Sequence, residues 1–456
     1  MRILVLGGTA WLGGEIVAAA LASGHEVTCL ARGESGRVPT GARFISADRD
    51  QSDAYASVVP SDRSDAATHL TPSTSEPRPN LADASVSASP SASDPSTSEF
   101  SPSESSASEF PAPESSASET PAPEPSAPEP SAERWDAVID LSRSLDQVRA
   151  AVEALEPHAD AYLFISSTSA YASQSDRNAD EDAATFPDPD PASPAADVPY
   201  GVAKAGAERA VRAAFGPDRG TLIRPGLIGG PGDPTGRSTY WPTRFARAAE
   251  GTSTTTPVAH PTDAARMPPT GPQRPVLAPA VPDLPTALID VRDLAQFIVT
   301  VVERGIRGVF NATSPALSFS EHLAVARQVA DHTGPVVEVD ERWLLDHGVS
   351  PWAGPRSLPL WIDDRDWWGM NDRDVSRALE AGMQLRPLAD TLTDILSAEK
   401  AASSPPAASS AVTSEDSDKD ANTDKDTDTD TAARNNSRAG LSDADEAQLL
   451  TAWGSR

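Results

Sequence analysis

Short apolar runs alternate along the chain with longer segments whose apolar residues recur at helical spacing. The first runs are RILVLG at 2–7, HEVTCL at 25–30 and ARFISA at 42–47, and a helical pattern over about 12–23 separates the first two. Apolar runs of this length bounded by turn residues indicate buried strands. The beginning of the chain therefore predicts a strand, a helix and two further strands.

The same alternation resumes further along the chain. Apolar runs predict strands at 135–141, 161–167 and 221–225, with one helix ending near Leu155 and another over about 199–215. Strands this apolar are buried on both faces, as in parallel sheets whose connections are helices. We therefore predict an α/β fold with a doubly wound parallel sheet of the Rossmann type.

Later segments are expected to complete this sheet and to add a smaller C-terminal lobe. Patterns at 287–291 and 308–312 predict strands that rejoin the sheet, with a helix over about 293–303 between them. Residues 319–347 and 372–399 predict helices that cap a cleft between the sheet and the lobe.

Three segments lack any pattern that could form a core. Residues 60–132 contain the decapeptides SSASEFPAPE and SSASETPAPE, whose Glu spacing of five matches neither a helix nor a strand, so a disordered insertion is predicted. The loop 253–274 and the acidic tail 401–439 are predicted to be disordered for the same reason. The remaining expected units are a Rossmann core at 1–59 and 133–230, a lobe with returning sheet elements at 231–400, and a short C-terminal helix at 440–456.

The charge of the chain argues against nucleic acid as a partner. The 456 residues carry a formal net charge of −30, and residues 60–133 alone hold 13 acidic and 2 basic side chains. An acidic chain repels phosphate backbones. No apolar run approaches the roughly 20 residues of a transmembrane helix, and the sequence starts directly with a strand pattern, so no membrane partner and a cytoplasmic location are expected.

The single cysteine, Cys29, lies within the second predicted strand and is expected to be a buried, inert thiol. One cysteine excludes a disulfide or a multi-cysteine metal site within the chain. The alternating Asp residues of DKDTDTDTA in the tail lack the glycine and the glutamate of a calcium-binding loop. No metal site is therefore predicted.

The stretch GGTAWLGG at 7–14 lies between a predicted strand and a predicted helix. Such a turn brings backbone N–H groups and the positive end of a helix close to a pyrophosphate. Gly7 is expected to permit the turn and Gly13 to let the helix lie against the strand. Ala10 stands where the backbone of the turn would come closest to the pyrophosphate. A methyl group is tolerated there if the phosphate lies slightly further away. A tight turn without a ligand is the alternative.

The end of the second strand bears on which dinucleotide would bind. NAD-selective sites usually place Asp or Glu there, whereas this chain has Ala31 followed by Arg32, a cation suited to a 2′-phosphate. NADP is therefore favoured and NAD is the alternative, because Arg32 could be a solvated surface residue and Glu34 lies nearby. Asp48, after the third strand, could accept from the adenine amino group or be an ordinary loop residue.

The segment YGVAK places Tyr200 and Lys204 four residues apart on a predicted helix, and therefore on one face. A nearby ammonium group stabilises a phenolate and lowers the pKa of a tyrosine, which suits that tyrosine to acid–base chemistry. The strand that ends in SSTSAY at 166–171 can bring Ser167 to the same edge of the sheet.

These motifs together resemble the extended short-chain dehydrogenase/reductases, the NAD-dependent epimerase/dehydratase family. The resemblance covers residues 1 to about 313 and continues more weakly to about 400. The segments that carry it are GGTAWLG, FISSTSAY, YGVAK, LIRPGLIGGPGDP at 222–234 and IDVRDLA at 289–295.

The resemblance implies roles for individual residues. Tyr200 would be the acid–base, Lys204 would lower its pKa and hold the nicotinamide ribose, and Ser167 would orient the substrate oxygen, with Thr168 as the alternative. The C-terminal lobe would bind the substrate, and a homodimer is possible. The residues implied to contact the cofactor are Gly7, Thr9, Ala10, Trp11, Leu12, Gly13, Arg32, Asp48, Lys204 and Pro225.

The implied function is hydride transfer at a carbinol or carbonyl carbon of a sugar nucleotide or small carbonyl substrate. Dehydratases of the family carry an acidic pair where Thr168 and Ser169 stand, so elimination of water is disfavoured. An NADPH-linked reductase is the favoured reading. The alternatives are a redox-neutral nucleotide-sugar epimerase and a nonenzymatic NADP-sensing or RNA-binding protein on the same fold.

Substrate contacts are expected mainly from GRSTYWP at 236–242. This segment offers three candidate side chains, and a later helix start offers a fourth, although all are also compatible with packing or surface positions. The segment WIDDRDWWGM at 361–370 is interpreted as packing of a lid or an interface. The four candidates are Arg237, Tyr240, Trp241 and Arg292.

Overall fold

The computed structural model describes residues 1–59, 134–190, 193–194, 197–250, 272–403 and 438–456. All of them belong to one of the two units into which the chain divides, Met1–Pro60 with Ala132–Arg456. The other unit, Ser61–Ser131, lies outside the described residues. The predictions of disorder for 60–132, for 253–274 and for 401–439 also concern residues that are almost all outside the described part.

Short strands and helices alternate through the described residues. The strands are β1 (Arg2–Leu6), β2 (Glu26–Ala31), β3 (Arg43–Ser46), β4 (Ala137–Asp140), β5 (Tyr162–Ile165), β6 (Gly220–Pro225), β7 (Leu227–Gly229), β8 (Val276–Pro279), β9 (Pro285–Thr286), β10 (Leu288–Asp290), β11 (Gly308–Ala312), β12 (Leu317–Ser318), β13 (Val336–Val339), β14 (Ser350–Pro351) and β15 (Ser357–Leu358). The α-helices are α1 (Trp11–Ala22), α2 (Leu145–Leu155), α3 (Tyr200–Arg219), α4 (Tyr240–Ala249), α5 (Val291–Glu303), α6 (Phe319–Val329), α7 (Glu341–Asp346), α8 (Ser376–Glu380), α9 (Leu388–Ser403) and α10 (Asp443–Gly454).

Seven strands form the central sheet in the order β11-β6-β5-β4-β1-β2-β3, and every neighbouring pair is parallel. Val5 of β1 lies opposite Cys29 of β2 on one side and Ile139 of β4 on the other. The strand order reverses between β1 and β4. Loops diverge at such a point and leave a crevice at the carboxyl edge of the sheet, which is where doubly wound folds bind their ligands.

The two faces of β1 show how the helices cover the sheet. Ile3 and Val5 belong to one apolar cluster, which includes residues of α1 and α5, whereas Leu4 and Leu6 belong to another, which includes residues of α2 and α3. Both faces of the sheet are therefore buried under helices. The predicted doubly wound Rossmann fold is confirmed.

One predicted strand belongs to a different sheet. The segment 287–291 was expected to rejoin the central sheet, but β10 pairs in parallel with β7 in a separate two-stranded sheet. The reason is that β6 ends at Pro225 and β7 continues beyond the carboxyl edge of the central sheet, where β10 adds to it. The segment 308–312 behaves as predicted, because β11 pairs with β6.

The C-terminal lobe has an apolar core of its own. Trp241 and Trp361 are fully buried in it, among residues of α4, α6 and α9. Trp361 begins the segment 361–370, so at least the start of that segment packs inside the lobe. Leu441 and Leu449, from the last described segment, also belong to this core. Among the described residues, no helix combines the length and the hydropathy that a transmembrane span requires.

Candidate active site

The glycine turn after β1 is tight for identifiable steric reasons. Gly7 has φ of +94°, which residues with a side chain rarely adopt, and the Ala10 N–H donates to its carbonyl at 3.2 Å. A Cβ atom at Gly13 would collide with the same carbonyl, and one at Gly8 would lie 2.8 Å from Sγ of Cys29. The cysteine is buried, which raises the pKa of its thiol to about 11. The turn therefore lies directly against β2 and α1.

Ala10 is the N-cap residue of α1, with φ of −75° and ψ of 163°. This extended conformation is ordinary for a residue with a side chain, so the backbone requires no glycine there. Alanine has no side-chain oxygen, and no side chain caps the start of α1. The N–H groups of the first helical turn are therefore available to an anion, and the helix dipole favours one.

A cavity of about 290 Å³ opens beside this turn. Thr9 and Ala10 line it from the turn, Arg32 from the loop after β2, and Asp48 from the loop after β3. The Arg32 side chain is 60% exposed and its Nε lies 3.5 Å from the Glu34 carboxylate. A glycine cradle, free helix N–H groups and an open cavity fit the pyrophosphate and adenosine of a dinucleotide.

Five of the residues expected to contact the cofactor do not line this cavity: Trp11, Leu12, Gly13, Lys204 and Pro225. The indole Nε1 of Trp11 donates to the Pro231 carbonyl at 3.0 Å, so Trp11 connects the start of α1 to the loop after β7. Leu12 packs against the apolar cluster under α1. Pro225 is buried at the end of β6.

A buried ion pair that the sequence did not suggest lies behind the cavity. Arg49 donates from Nη1 to Oδ1 of Asp140 at 2.9 Å and from Nη2 to Oδ2 at 3.2 Å. Burial would raise the pKa of Asp140, but the charge and hydrogen bonds of Arg49 hold that pKa below its ordinary value. The pair joins the loop after β3 to the end of β4, which are two walls of the cavity.

Tyr200 is the first residue of α3 and is 43% exposed. The Ser167 side chain lies close enough to lower the pKa of Tyr200, and its Oγ accepts from the Ser169 N–H at 3.1 Å. Thr168, the alternative to Ser167, is buried at 3% exposure. The structure therefore brings the serine and the tyrosine together at the carboxyl edge of the sheet.

The electrostatic surroundings of Tyr200 differ from the expected ones. Partial burial raises the pKa of Tyr200 above its ordinary value, although the hydrogen bond with Ser167 and the charges of Arg143 and Arg237 lower it. The Arg143 guanidinium carbon lies 5.5 Å from the centre of the Tyr200 ring. Arg143 was not suggested by any motif; the available signal was its position three residues after the end of β4.

Lys204 lies one helical turn after Tyr200 and is buried. Its Nζ donates to the carbonyls of Ser142 at 2.7 Å and Ile165 at 2.6 Å, and lies 5.8 Å from the centre of the Tyr200 ring. Burial lowers the pKa of Lys204 to about 7, and the charge of Arg143 also lowers it, whereas Asp140 raises it. The expected effect of Lys204 on the pKa of Tyr200 stays a prediction.

The four candidate substrate residues have different surroundings. Arg237 is close enough to lower the pKa of Tyr200 by its charge. Tyr240 and Trp241 are instead core residues, at 5% and 0% exposure, because the helix that they begin packs into the C-terminal lobe. Arg292 is held by Asp290 at 2.7 Å and by a second carboxylate. For the two aromatic residues the structure therefore shows the packing alternative.

Comparisons with known proteins agree with this architecture. The model of the NAD dependent epimerase/dehydratase family matches residues 3–87. A proposed epimerase from Burkholderia cenocepacia J2315 is 17% identical, with 88% of this chain and 98% of that chain covered and a TM-score of 0.50. The UDP-N-acetylglucosamine 4-epimerase from Bacillus cereus is 13% identical, with coverages of 89% and 99% and a TM-score of 0.50.

A comparison with curated proteins finds no match. At 17% and 13% identity, the solved structures establish a shared fold. The family match covers the glycine turn and the second and third strands, where the sequence motifs placed the dinucleotide. The resemblance expected from the motifs is therefore confirmed: this chain resembles the extended short-chain dehydrogenase/reductases, which are the NAD-dependent epimerase/dehydratase family.

Proposed function

We propose that the chain is an NADP(H)-dependent oxidoreductase that transfers a hydride at a carbinol or carbonyl carbon of a sugar nucleotide or small carbonyl compound, in net terms a reductase. The observation that carries this proposal is that Ser167, just after β5, and Tyr200, at the start of α3, lie close together at the same sheet edge as the dinucleotide cavity. The family match, to a group described as NAD dependent, supports a nicotinamide cofactor.

Residues on three loops would hold the cofactor. The free N–H groups after Ala10 would bind the pyrophosphate, Asp48 the adenine amino group and Arg32 a 2′-phosphate. In its ammonium form Lys204 uses two of its three N–H groups on backbone carbonyls, so one donor remains for the nicotinamide ribose. When bound, the reduced nicotinamide supplies the hydride. Because Ala31 offers no carboxylate to a ribose hydroxyl, the site favours NADP over NAD.

Tyr200 would donate the proton to the substrate oxygen, and Ser167 would orient that oxygen. A raised pKa keeps the Tyr200 phenol protonated at neutral pH, which is the form that donates to a carbonyl oxygen as the carbonyl is reduced. Ser167 would hold that oxygen through its hydroxyl group. Thr168 and Ser169 stand where dehydratases of the family carry an acidic pair, which supports hydride transfer without loss of water.

Two measurements on the full chain test this proposal. Nucleotide released from the purified protein is identified, and NADPH consumption is followed at 340 nm with 4-keto sugar nucleotides and small aldehydes and ketones. We expect exchangeable NADPH and net consumption. Tightly held NAD with no net consumption, and interconversion of sugar nucleotides, would establish the epimerase instead.

Substitution of the tyrosine tests the mechanism. Tyr200→Phe removes the proton donor and keeps the ring, so we expect turnover to fall by at least about a hundredfold, with nucleotide affinity nearly unchanged. The matched control is Tyr240→Phe, which removes a buried hydroxyl group that has no hydrogen-bond partner among the described residues. Near-normal turnover of Tyr200→Phe would refute the mechanism.

A further inference from the structure

The cofactor contacts proposed above leave one charged side chain of the dinucleotide cavity unused. Arg143, in the loop after β4, is among the residues that line this cavity. Its guanidinium carbon lies 5.5 Å from the centre of the Tyr200 ring. The same side chain therefore borders both the cavity that would hold the dinucleotide and the ring of the proposed proton donor.

The loop that carries Arg143 lies directly against the glycine turn. A Cβ atom at Gly7 would lie 3.6 Å from the Cβ of Leu141, two residues before Arg143. The strands that precede the turn and this loop, β1 and β4, are paired neighbours in the sheet. The turn and the loop after β4 thus form adjoining walls of the cavity, so a group bound at the start of α1 lies next to the wall that carries Arg143.

The strand order indicates which part of a dinucleotide would lie there. The loops after β2, β1, β4 and β5 follow one another along the carboxyl edge of the sheet, and neighbouring strands are about 4.8 Å apart. These loops carry Arg32, the glycine turn, Arg143 and Ser167 in that order. A dinucleotide with its 2′ end at Arg32 and its nicotinamide at Ser167 has its pyrophosphate between the turn and Arg143.

Arg143 differs from the other two arginines of the cavity in its charge environment. Arg49 donates to both carboxylate oxygens of Asp140, and Nε of Arg32 lies 3.5 Å from the Glu34 carboxylate. In the part of the chain that the structure describes, no acceptor forms a hydrogen bond or an ion pair with the Arg143 guanidinium. Both phosphates of a pyrophosphate are negatively charged, and the turn offers them neutral N–H groups only. The Arg143 guanidinium would supply the charge-assisted bond that the turn lacks.

We propose that Arg143 binds the pyrophosphate of the dinucleotide from the wall formed by the loop after β4. This inference rests on the dinucleotide of the function proposed above, but not on the substrate or on the direction of the reaction. The pyrophosphate is common to NADP and NAD. Arg143 would therefore increase the affinity for both cofactors equally, and the choice between them would be left to Arg32.

Four ligands locate the contact: NADPH, NADH, ADP-ribose, which lacks the nicotinamide, and adenosine, which lacks every phosphate. Their affinities for the full chain are measured by calorimetry at constant ionic strength. We expect Arg143→Gln to weaken the first three by the same factor, about tenfold or more, and to leave the affinity for adenosine unchanged. Unchanged affinities for all four ligands would overturn the proposal.

Two other results would also overturn it, because each assigns Arg143 to a different part of the cofactor. A loss for NADH without a loss for ADP-ribose would place the contact at the nicotinamide. A loss for NADPH without a loss for NADH would place it at the 2′-phosphate.

Two further variants control for the charge and for the fold. Arg143→Lys keeps the charge without the planar fork, so it should retain part of the affinity that Arg143→Gln loses. Arg149→Gln is the matched control, because Arg149 is 54% exposed on α2 and does not line the cavity. Its nucleotide affinities should stay within about twofold of the parent values. A loss in Arg149→Gln as large as that in Arg143→Gln would overturn the assignment to Arg143.

NADPH consumption by the same samples keeps the two hypotheses apart. If the affinities depend on Arg143 but the parent shows no net consumption with any carbonyl compound, only the reductase is refuted. If the parent consumes NADPH and Arg143→Gln binds the cofactor as tightly as the parent does, only the pyrophosphate contact is refuted.

Discussion

The buried pair of Arg49 and Asp140 is expected to be a principal determinant of the stability of the central sheet, because it joins the loop after β3 to the end of β4. The Asp140 side chain is fully buried and that of Arg49 is 8% exposed. Arg49 also donates to Oη of Tyr55 at 2.9 Å. The substitution Arg49→Met keeps most of the side-chain volume but leaves the carboxylate without its cation.

The expected loss in the free energy of unfolding depends on the hydrogen bonds that the Asp140 carboxylate keeps in the variant. Removal of one partner of a buried ion pair costs about 3–5 kcal/mol. In Arg49→Met, Asp140 keeps hydrogen bonds from Tyr162 Oη at 2.6 Å and from the Ser142 N–H at 2.9 Å. We therefore expect the lower end, a loss of about 3 kcal/mol in the free energy of unfolding at pH 7.5, measured by urea titration.

A double variant separates the buried charge from lost packing. Arg49→Met with Asp140→Asn removes both charges, so we expect it to regain about 1–2 kcal/mol relative to Arg49→Met alone. If the stability loss of the double variant instead equals the sum of the losses of Arg49→Met and Asp140→Asn, the Asp140 carboxylate is not an uncompensated charge in Arg49→Met. This reasoning would then be wrong.

The pH dependence gives an independent check. In the parent, the lowered pKa of Asp140 means that its contribution to stability is present above the ordinary pKa of Asp and is lost as the pH falls through the folded value. Without Arg49, burial raises that pKa, and protonation in the folded state relieves the penalty. The stability difference between the parent and Arg49→Met should therefore shrink between pH 7.5 and pH 5. A constant difference would refute this account.

Three further predictions concern the cofactor and the rest of the chain. By fluorescence titration, the parent should bind NADPH more tightly than NADH by about 1.5–3 kcal/mol, and Arg32→Ala should remove most of that preference. Equal affinities in the parent would show that Arg32 is a surface residue only. Glu446→Ala leaves buried Arg244 unpaired and should cost about 3–5 kcal/mol by thermal unfolding, unlike Asp445→Ala on the more exposed part of the same helix. Replacement of 60–132 by a short Gly/Ser loop should change nucleotide affinity less than tenfold, because that segment has no core-forming pattern; a larger loss would make it part of the site.

The strands of the central sheet could be predicted because their apolar runs have one explanation, burial on both faces. The error at 287–291 shows the limit of that reasoning. A three-residue apolar strand has the same pattern whether it joins the main sheet or pairs with β7 beyond its edge. Pairing partners depend on where β6 ends in space, which the pattern does not contain.

The candidate site also contains residues that the sequence could predict and residues that it could not. Ser167 and Tyr200 stand in recognisable motifs, so their meeting at the sheet edge could be anticipated. Arg143 could not be anticipated, because its position over the Tyr200 ring depends on the loop after β4 and the start of α3 coming together at one edge of the sheet. For Tyr240 and Trp241 the sequence left packing and substrate contact both open, because aromatic residues in a polar segment show the same pattern whether they face a ligand or begin a buried helix.

Ala10 and Trp11 of the stretch GGTAWLGG have different structural roles. Ala10 fits because its backbone is extended and its lack of a side-chain oxygen leaves the helix N–H groups free. Trp11 reaches the Pro231 carbonyl, six residues before Arg237, and its indole lies against Gly232. Trp11 therefore joins the turn that would hold the pyrophosphate to the loop after β7.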